Sequence, residues 1–153
     1  MTPEPDPRAA LSAEETARRC TEQMWGEDLA SKSLGMEVRS CGPGTAVVSM
    51  TVRPDMVNGW EICHGGLIAT LADSAFAVAC NSRGTVTVAA GFEVTFLRPG
   101  RLGDVLVATA REVALSGRSG VYDVTVVREA DGESVAVFRG RSRSTGRPNP
   151  GLG

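Results

Sequence analysis

The sequence predicts an α+β fold in which a curved antiparallel sheet wraps one long central helix. Three observations lead there. The segment Leu67 to Asn81 has good helix composition and is apolar or small on nearly every side, which marks a buried helix. Two alternating or β-branched runs precede it and four follow, each bounded by glycine, proline or aspartate turn chemistry. A lone helix is buried on all sides only if the sheet beside it curves around it. A length of 153 residues suits one domain with a sizeable core.

Residues 1 to 10 carry Pro3, Pro5 and Pro7 and are expected to form a disordered leader. The folded domain is expected over residues 11–143. Ser12 offers an N-cap, and Glu15 three residues on suggests a capping box. A short N-terminal helix is therefore predicted from Ala13 to Met24 or Trp25, ending before Gly26, with Leu11, Ala17, Cys20 and Met24 facing inward. Met36 to Cys41 alternates, Gly42-Pro43-Gly44 turns the chain, and Thr45 to Val52 continues as a β-branched run, which reads as a hairpin. Arg53 to Cys63 has no period and holds Pro54, Asn58 and Gly59, so it reads as a loop. His64-Gly65-Gly66 opens the central helix and Asn81 to Gly84 closes it. The later strands are predicted at Thr85–Leu97, Asp104–Ala114, Gly120–Glu129 and Ser134–Arg143. Residues 144–153, with two prolines and three glycines, are expected to be a flexible tail.

This arrangement of one helix in a strongly curved sheet is the hotdog fold. Six strands leave two open edges, and edges are commonly managed by pairing, so a dimer is expected. The net charge of −2 exerts no pull toward nucleic acid or anionic membrane. The central helix is too short and too alanine-rich to cross a bilayer. Cys20, Cys41, Cys63 and Cys80 form no CxxC pair, which argues against a zinc or redox site. The N-terminus has neither the basic nor the apolar region of a secretory signal. The cysteines are then expected reduced, in a cytoplasmic protein.

The chemistry gathers in the central stretch. Asp73 is the only charge on its helix, and no base lies three or four positions away to pair it. An ionised carboxylate in apolar surroundings needs a partner or a pocket, and burial there raises its pKa. At the other end, the two glycines allow close approach to a helix N-terminus, whose unpaired N–H groups suit an oxyanion. Asp73 lies eight residues past Gly65, a little over two turns. A ligand joins the two only in an extended site, or if one group comes from a symmetry mate. Both arrangements put the site at a dimer interface.

The spaced set Asn58-x5-His64-Gly65-Gly66-x6-Asp73 resembles the motif of hotdog-fold acyl-CoA thioesterases. The run His64 to Asn81, with Phe96-Leu-Arg-Pro-Gly100, Gly120-Val-Tyr-Asp-Val124 and Phe138-Arg-Gly140, is similar to the PaaI type, the thioesterases of phenylacetate degradation. The resemblance covers residues 34 to 143. It implies that Asp73 is the catalytic carboxylate, as nucleophile or as general base on a water. It implies that the Gly65 N–H binds the thioester carbonyl oxygen, that His64 holds that loop and the thioester, and that Asn58 adds a side-chain donor. It also implies an acyl-CoA substrate, (hydroxy)phenylacetyl-CoA above others, a homodimer with the site across its interface, and assembly into a homotetramer. No metal is implied, and coenzyme A is needed only as part of the substrate. Arg98, Arg101, Arg118 and Ser119, in turns beside strands, are the candidates for the coenzyme A phosphates. The departure is a missing hydroxyl. Ala77, Ala89 and Ala90 cannot orient a water, and Thr70 is the nearest alternative. Two other functions share the fold: a hotdog enoyl-CoA hydratase or dehydratase, and a non-catalytic acyl-CoA-binding module.

Overall fold

A computed structural model describes residues 10–153. The expected leader lies, apart from Ala10, outside the described residues. The order is α1 (Ala13–Gly26), α2 (Leu29–Ser33), β1 (Glu37–Gly42), β2 (Thr45–Thr51), α3 (Gly65–Asn81), β3 (Thr85–Phe96), β4 (Val105–Ser116), β5 (Ser119–Arg128) and β6 (Ser134–Pro148). All six strands join one antiparallel sheet in the order β1-β2-β4-β5-β6-β3. The hotdog arrangement is thus the observed one, with β1 and β3 as its edges.

The sheet approaches α3 closely because its inner face alternates large and small residues. Ala46 pairs with Ala110 and Val48 with Ala108 across β2 and β4, and all four are buried. Larger side chains fill the space on either side: Met50, Leu106, Val124 and Val126. At the far strand the fit is tighter. The Phe76 ring packs between Tyr122 and Phe138, at centroid distances of 5.5 and 5.8 Å. It lies flat enough on Gly140 that a β-carbon there would come within 2.9 Å of three ring atoms. Any side chain at 140 would push the helix off the sheet.

The ends of α3 are tied down by side chains. At the C-terminus, the buried Asn81 amide donates to the carbonyls of Ala77 and Thr87, and its oxygen accepts from Thr87 N–H, each at 2.9 Å. The Ser82 hydroxyl donates to Ala79 and accepts from Gly44 N–H. These bonds fix the helix against β3 and the β1–β2 turn.

Four expectations change. The sheet and the N-terminal helices do not bury α3 on all sides, because Gly66, Thr70, Asp73 and Ala77 form an exposed or partly exposed stripe. Their spacing of four, three and four residues is one face of the helix. In α1, Ser12 does cap Glu15 N–H at 3.1 Å, but the Glu15 carboxylate turns to Arg18 and Arg19 instead of closing the box. Leu11 is exposed. The five-residue α2 was not expected; Asp28 caps it by accepting from Ser31 N–H at 2.9 Å.

The tail is also corrected. Residues 144–148 continue β6, paired with β3 as far as Thr85 opposite Pro148. A 3-10 turn follows at Pro150–Leu152. Asn149 is buried, its N–H donates to Gly84 at 2.8 Å, and Gly151 lies against Arg19. The proline and glycine content that suggests a loop is used here in a strand end and a turn.

Candidate active site

The loop between β2 and α3 is built by Asn58. The main chain crosses back on itself where Asn58 N–H donates to Ile62 at 2.8 Å. Inside that crossing the Asn58 side-chain oxygen accepts from Trp60 N–H at 2.9 Å and from Ile62 N–H at 3.4 Å. Glu61 takes the left-handed conformation at φ 61° to close the turn. Two N–H donors aimed at one atom identify it as the oxygen. The side-chain NH2 is therefore the group left over. Among the described residues no protein acceptor takes it.

The loop then docks on the Arg98-Pro99-Gly100 turn. Cys63 N–H donates to Gly100 at 2.7 Å, and Ile62 bridges Arg101. His64 N–H donates to Met56 at 2.8 Å, so the chain enters α3 in one direction only. His64 is the N-cap of α3, its Nδ1 accepting from Gly66 N–H at 3.2 Å. An accepting Nδ1 carries no proton, so a neutral ring holds its proton on Nε2, away from the cap. The His64 side chain thus holds the glycine turn.

Gly65 is the first helical residue. The N–H groups of a first turn have no partner within their helix, and the Gly65 N–H finds no acceptor among the described residues. The Phe96 ring lies over it; a β-carbon on Gly65 would sit 3.1 Å from Phe96 Cζ. Asn58, Gly65, Phe96, Arg98 and Pro99 line one cleft of about 450 Å³, floored by Ile62, Cys63 and Ile68. Two free donors and the positive end of a helix dipole therefore face one partly apolar cleft.

Asp73 is not in that cleft. It lies on the open stripe of α3, about 12 Å along the axis from Gly65 at 1.5 Å per residue. It is partly buried, and no group donates to it among the described residues. Burial pushes its carboxyl above the ordinary aspartate range, and the nearby Asp28 carboxylate adds to that. Among the described residues no backbone N–H donates to the Asp73 carboxylate. Thr70 shares the stripe one turn earlier, and its hydroxyl donates to Gly66 at 2.8 Å.

The four candidates for phosphate contacts fall into two groups. Arg98 lines the cleft, where it donates to the Ser134 carbonyl at 3.0 Å and pairs with Glu133 at 3.1 Å. Arg101 is beside it, its backbone N–H held by Asp104 at 2.8 Å and its side chain exposed. Arg118, in the β4–β5 turn, and Ser119, the first residue of β5, sit near the other end of α3. Arg118 lines a small cavity of about 150 Å³ with Cys80, Ser142 and Ser144, and Ser119 accepts from Arg143 at 3.3 Å. One chain does not bring these four together. Sequence reasoning missed Phe96 as the cover of Gly65 and Asp28 as a charge near Asp73. The Asp28-x-x-Ser31 spacing is an N-cap signature that points to the latter.

The four cysteines are unpaired. Among the described residues, no three His, Cys, Asp or Glu side chains gather as a metal site, and no helix is long and apolar enough to cross a membrane.

The chain is similar in sequence and fold to known proteins. The model of the thioesterase superfamily matches residues 61–135. Over 123 residues the chain is 46% identical to the acyl-coenzyme A thioesterase PaaI of Escherichia coli K12, covering 80% of this chain and 87% of that one. The structure of the E. coli PaaI protein from the phenylacetic acid degradation operon superposes with a TM-score of 0.87 at 42% identity, over 90% of this chain and 99% of that one. A hypothetical thioesterase of Streptococcus pneumoniae TIGR4, solved with coenzyme A, matches with a TM-score of 0.70 at 26% identity, over 74% and 90% of the two chains.

Proposed function

The chain belongs to the thioesterase superfamily as a PaaI-type acyl-CoA thioester hydrolase, and from that premise we propose that its active site forms between two copies, Asp73 of one facing the Asn58–Gly65 cleft of the other. The observation that carries this reading is a separation. The free donors lie at the start of α3 and the unpartnered carboxylate lies two turns along its open stripe. A rigid chain cannot bring them to one carbonyl. A second copy can, and β3 offers it a place to dock. β3 is a free edge of twelve residues, with Val88 51% and Phe92 43% exposed, the kind of edge that proteins cover by pairing.

In the proposed reaction the thioester carbonyl oxygen sits in the cleft and accepts from the Gly65 N–H and the Asn58 NH2. As the carbonyl becomes tetrahedral, those donors take up the developing negative charge. Asp73 either removes a proton from a water that attacks the carbonyl carbon, or attacks it directly to form a mixed anhydride that water then hydrolyses; in both routes the C–S bond breaks and the coenzyme A thiolate leaves and takes up a proton. A thioester is activated enough for either route without a serine–histidine pair, a metal or a further cofactor. The carboxyl's raised pKa strengthens it as a base at neutral pH. The products are the free acid and coenzyme A. Arg98 and Arg101 on the cleft's rim, and Arg118 and Ser119 brought from a neighbouring copy, are proposed to hold its phosphates.

For the acyl group we propose phenylacetyl or hydroxyphenylacetyl, on the strength of the E. coli relative's place in a phenylacetic acid degradation operon. Assembly to a homotetramer and a cytoplasmic location are proposed with it. The test is thiol release from a panel of acyl-CoA substrates by the wild type and Asp73→Asn. Loss of turnover by at least about a hundredfold is expected for removal of a general base or nucleophile. Wild-type turnover in Asp73→Asn would sink the mechanism.

A further inference from the structure

The short α2 helix meets α3 through a partly buried hydrogen-bond chain beside Asp73. The Ser31 hydroxyl lies 2.7 Å from Asp28 Oδ2 and 2.8 Å from the Ser74 hydroxyl. Ser31 is 3% exposed and Ser74 8%. The direction of the chain follows from the donor inventory. A carboxylate only accepts, so Ser31 spends its one proton on Asp28, and Ser74 must donate to Ser31. Ser74 is the residue after Asp73, and its proton is committed away from it. Asp28 also accepts from Ser31 N–H at 2.9 Å. Its carboxylate is therefore held by three linked bonds to the turn of α3 that carries Asp73, and no arginine or lysine pairs it among the described residues.

We propose that Asp28 is a positioning residue for the Asp73-dependent reaction, a second fixed negative charge that Ser31 and Ser74 hold against the catalytic helix. Two carboxylates near one another resist simultaneous ionisation, so Asp28 makes Asp73 a stronger base than burial alone does. Its charge is among the causes that push the Asp73 carboxyl up, after burial. Other ionisable groups around this turn offer no counter-charge. Lys32, the cation of α2, donates to the Gly26 carbonyl. Cys80, two turns along α3, is kept protonated, its thiol pushed up to about 12 by burial and by Asp73 itself. From α1 comes the buried Cys20 thiol, also raised by burial. The one ionisable side chain the inner strands bury is Tyr122, whose hydroxyl donates to Glu112 at 3.2 Å. Glu37 of β1 and Glu93 of β3 are solvent-exposed.

The inference rests on Asp73 being the reacting carboxylate, and its test separates the two. The profile of kcat/KM against pH is measured for the wild type, Asp28→Asn, Asp28→Ser and Ser74→Ala, with Asp73→Asn alongside. Asparagine and serine at 28 remove the charge and keep one acceptor for the α2 cap, without the second oxygen that accepts from the Ser31 hydroxyl. The acid limb, where Asp73 takes a proton and activity falls, is expected to move to lower pH by at least about half a unit in both Asp28 variants, which is about threefold more activity on that limb. Ser74→Ala, with the charge retained, is expected to lower kcat without an equal displacement. Superimposable limbs, or a uniform drop in kcat at every pH, would overturn the proposal while an inactive Asp73→Asn leaves the mechanism standing. An active Asp73→Asn would overturn both.

Discussion

Replacing Gly65 with proline removes one atom pair, the N–H proposed to bind the oxyanion, while leaving the helix intact. Gly65 is the first residue of α3, and His64 before it has φ −58° and ψ 128°. Proline is favoured at that first position because the N–H there is unpaired anyway, and an extended residue before it is what proline requires. The companion variant Gly65→Ala isolates the steric part. Its β-carbon would meet Phe96 Cζ at 3.1 Å, inside the usual contact of about 3.5–4.0 Å between carbons. Phe96 is 49% exposed and free to swing by the few tenths of an ångström needed. Alanine also favours the helix by about 1 kcal/mol over glycine. Gly65→Ala should therefore melt near the wild type and lose no more than about tenfold in kcat, roughly 1.4 kcal/mol of barrier. Gly65→Pro should lose about 10²–10³ in kcat, roughly 2.7–4 kcal/mol, the usual effect of deleting one oxyanion donor. The loss should fall on kcat more than on KM, because the donor acts on charge that develops in the transition state. Thiol-release kinetics with melting curves on the same preparations read both. Gly65→Pro turning over within about fivefold of Gly65→Ala would refute the role of the N–H.

Two further predictions follow from the same geometry. Asp73→Asn and Gly65→Pro, each inactive alone, should restore activity when unfolded and refolded together, since a mixed dimer carries one site with both groups intact. Random pairing gives about a quarter of the wild-type sites, and no recovery on mixing would show that each chain completes its own site. Deleting residues 149–153 removes the buried Asn149, its hydrogen bond to Gly84 and the contact of Leu152 with the same glycine. Thermal melting should fall by about 3–8 °C, from roughly 1–3 kcal/mol of lost bonds and packing in a chain of this size, and an unchanged melting temperature would mean the turn contributes nothing.

How much of this was legible depended on which force placed each element. β2, β4 and β5 show in the sequence as β-branched runs bounded by turn residues, with buried apolar positions from Val48 to Val126. The end of β6 does not show, because Ser144 to Pro148 holds Gly146 and Pro148 and buries no apolar side chain. Period-based reading stops at Arg143 although the ladder continues. The α2 turn is too short to carry a period at all and is held by its cap and by Ser74 instead. In the candidate site, the unpaired charge of Asp73 and the glycine-opened helix could be read from residue types and spacing. The openness of the stripe that carries Asp73 could not, because it depends on where a curved sheet ends. Nor could the two populations of arginine, since turns far apart in space look alike in sequence.

The Asn58 amide divides two duties between two atoms. Its oxygen belongs to the fold, closing the loop by accepting from Trp60 and Ile62. Its nitrogen belongs to the cleft. Aspartate at 58 has the same shape and would close the loop at least as well, since an anion accepts more strongly than an amide. It would also set a negative charge where the substrate's oxygen is proposed to become negative. A search for well-folded variants would pass such a chain without complaint. At this position stability carries no information about competence, and only an assay of the chemistry can tell one residue from the other.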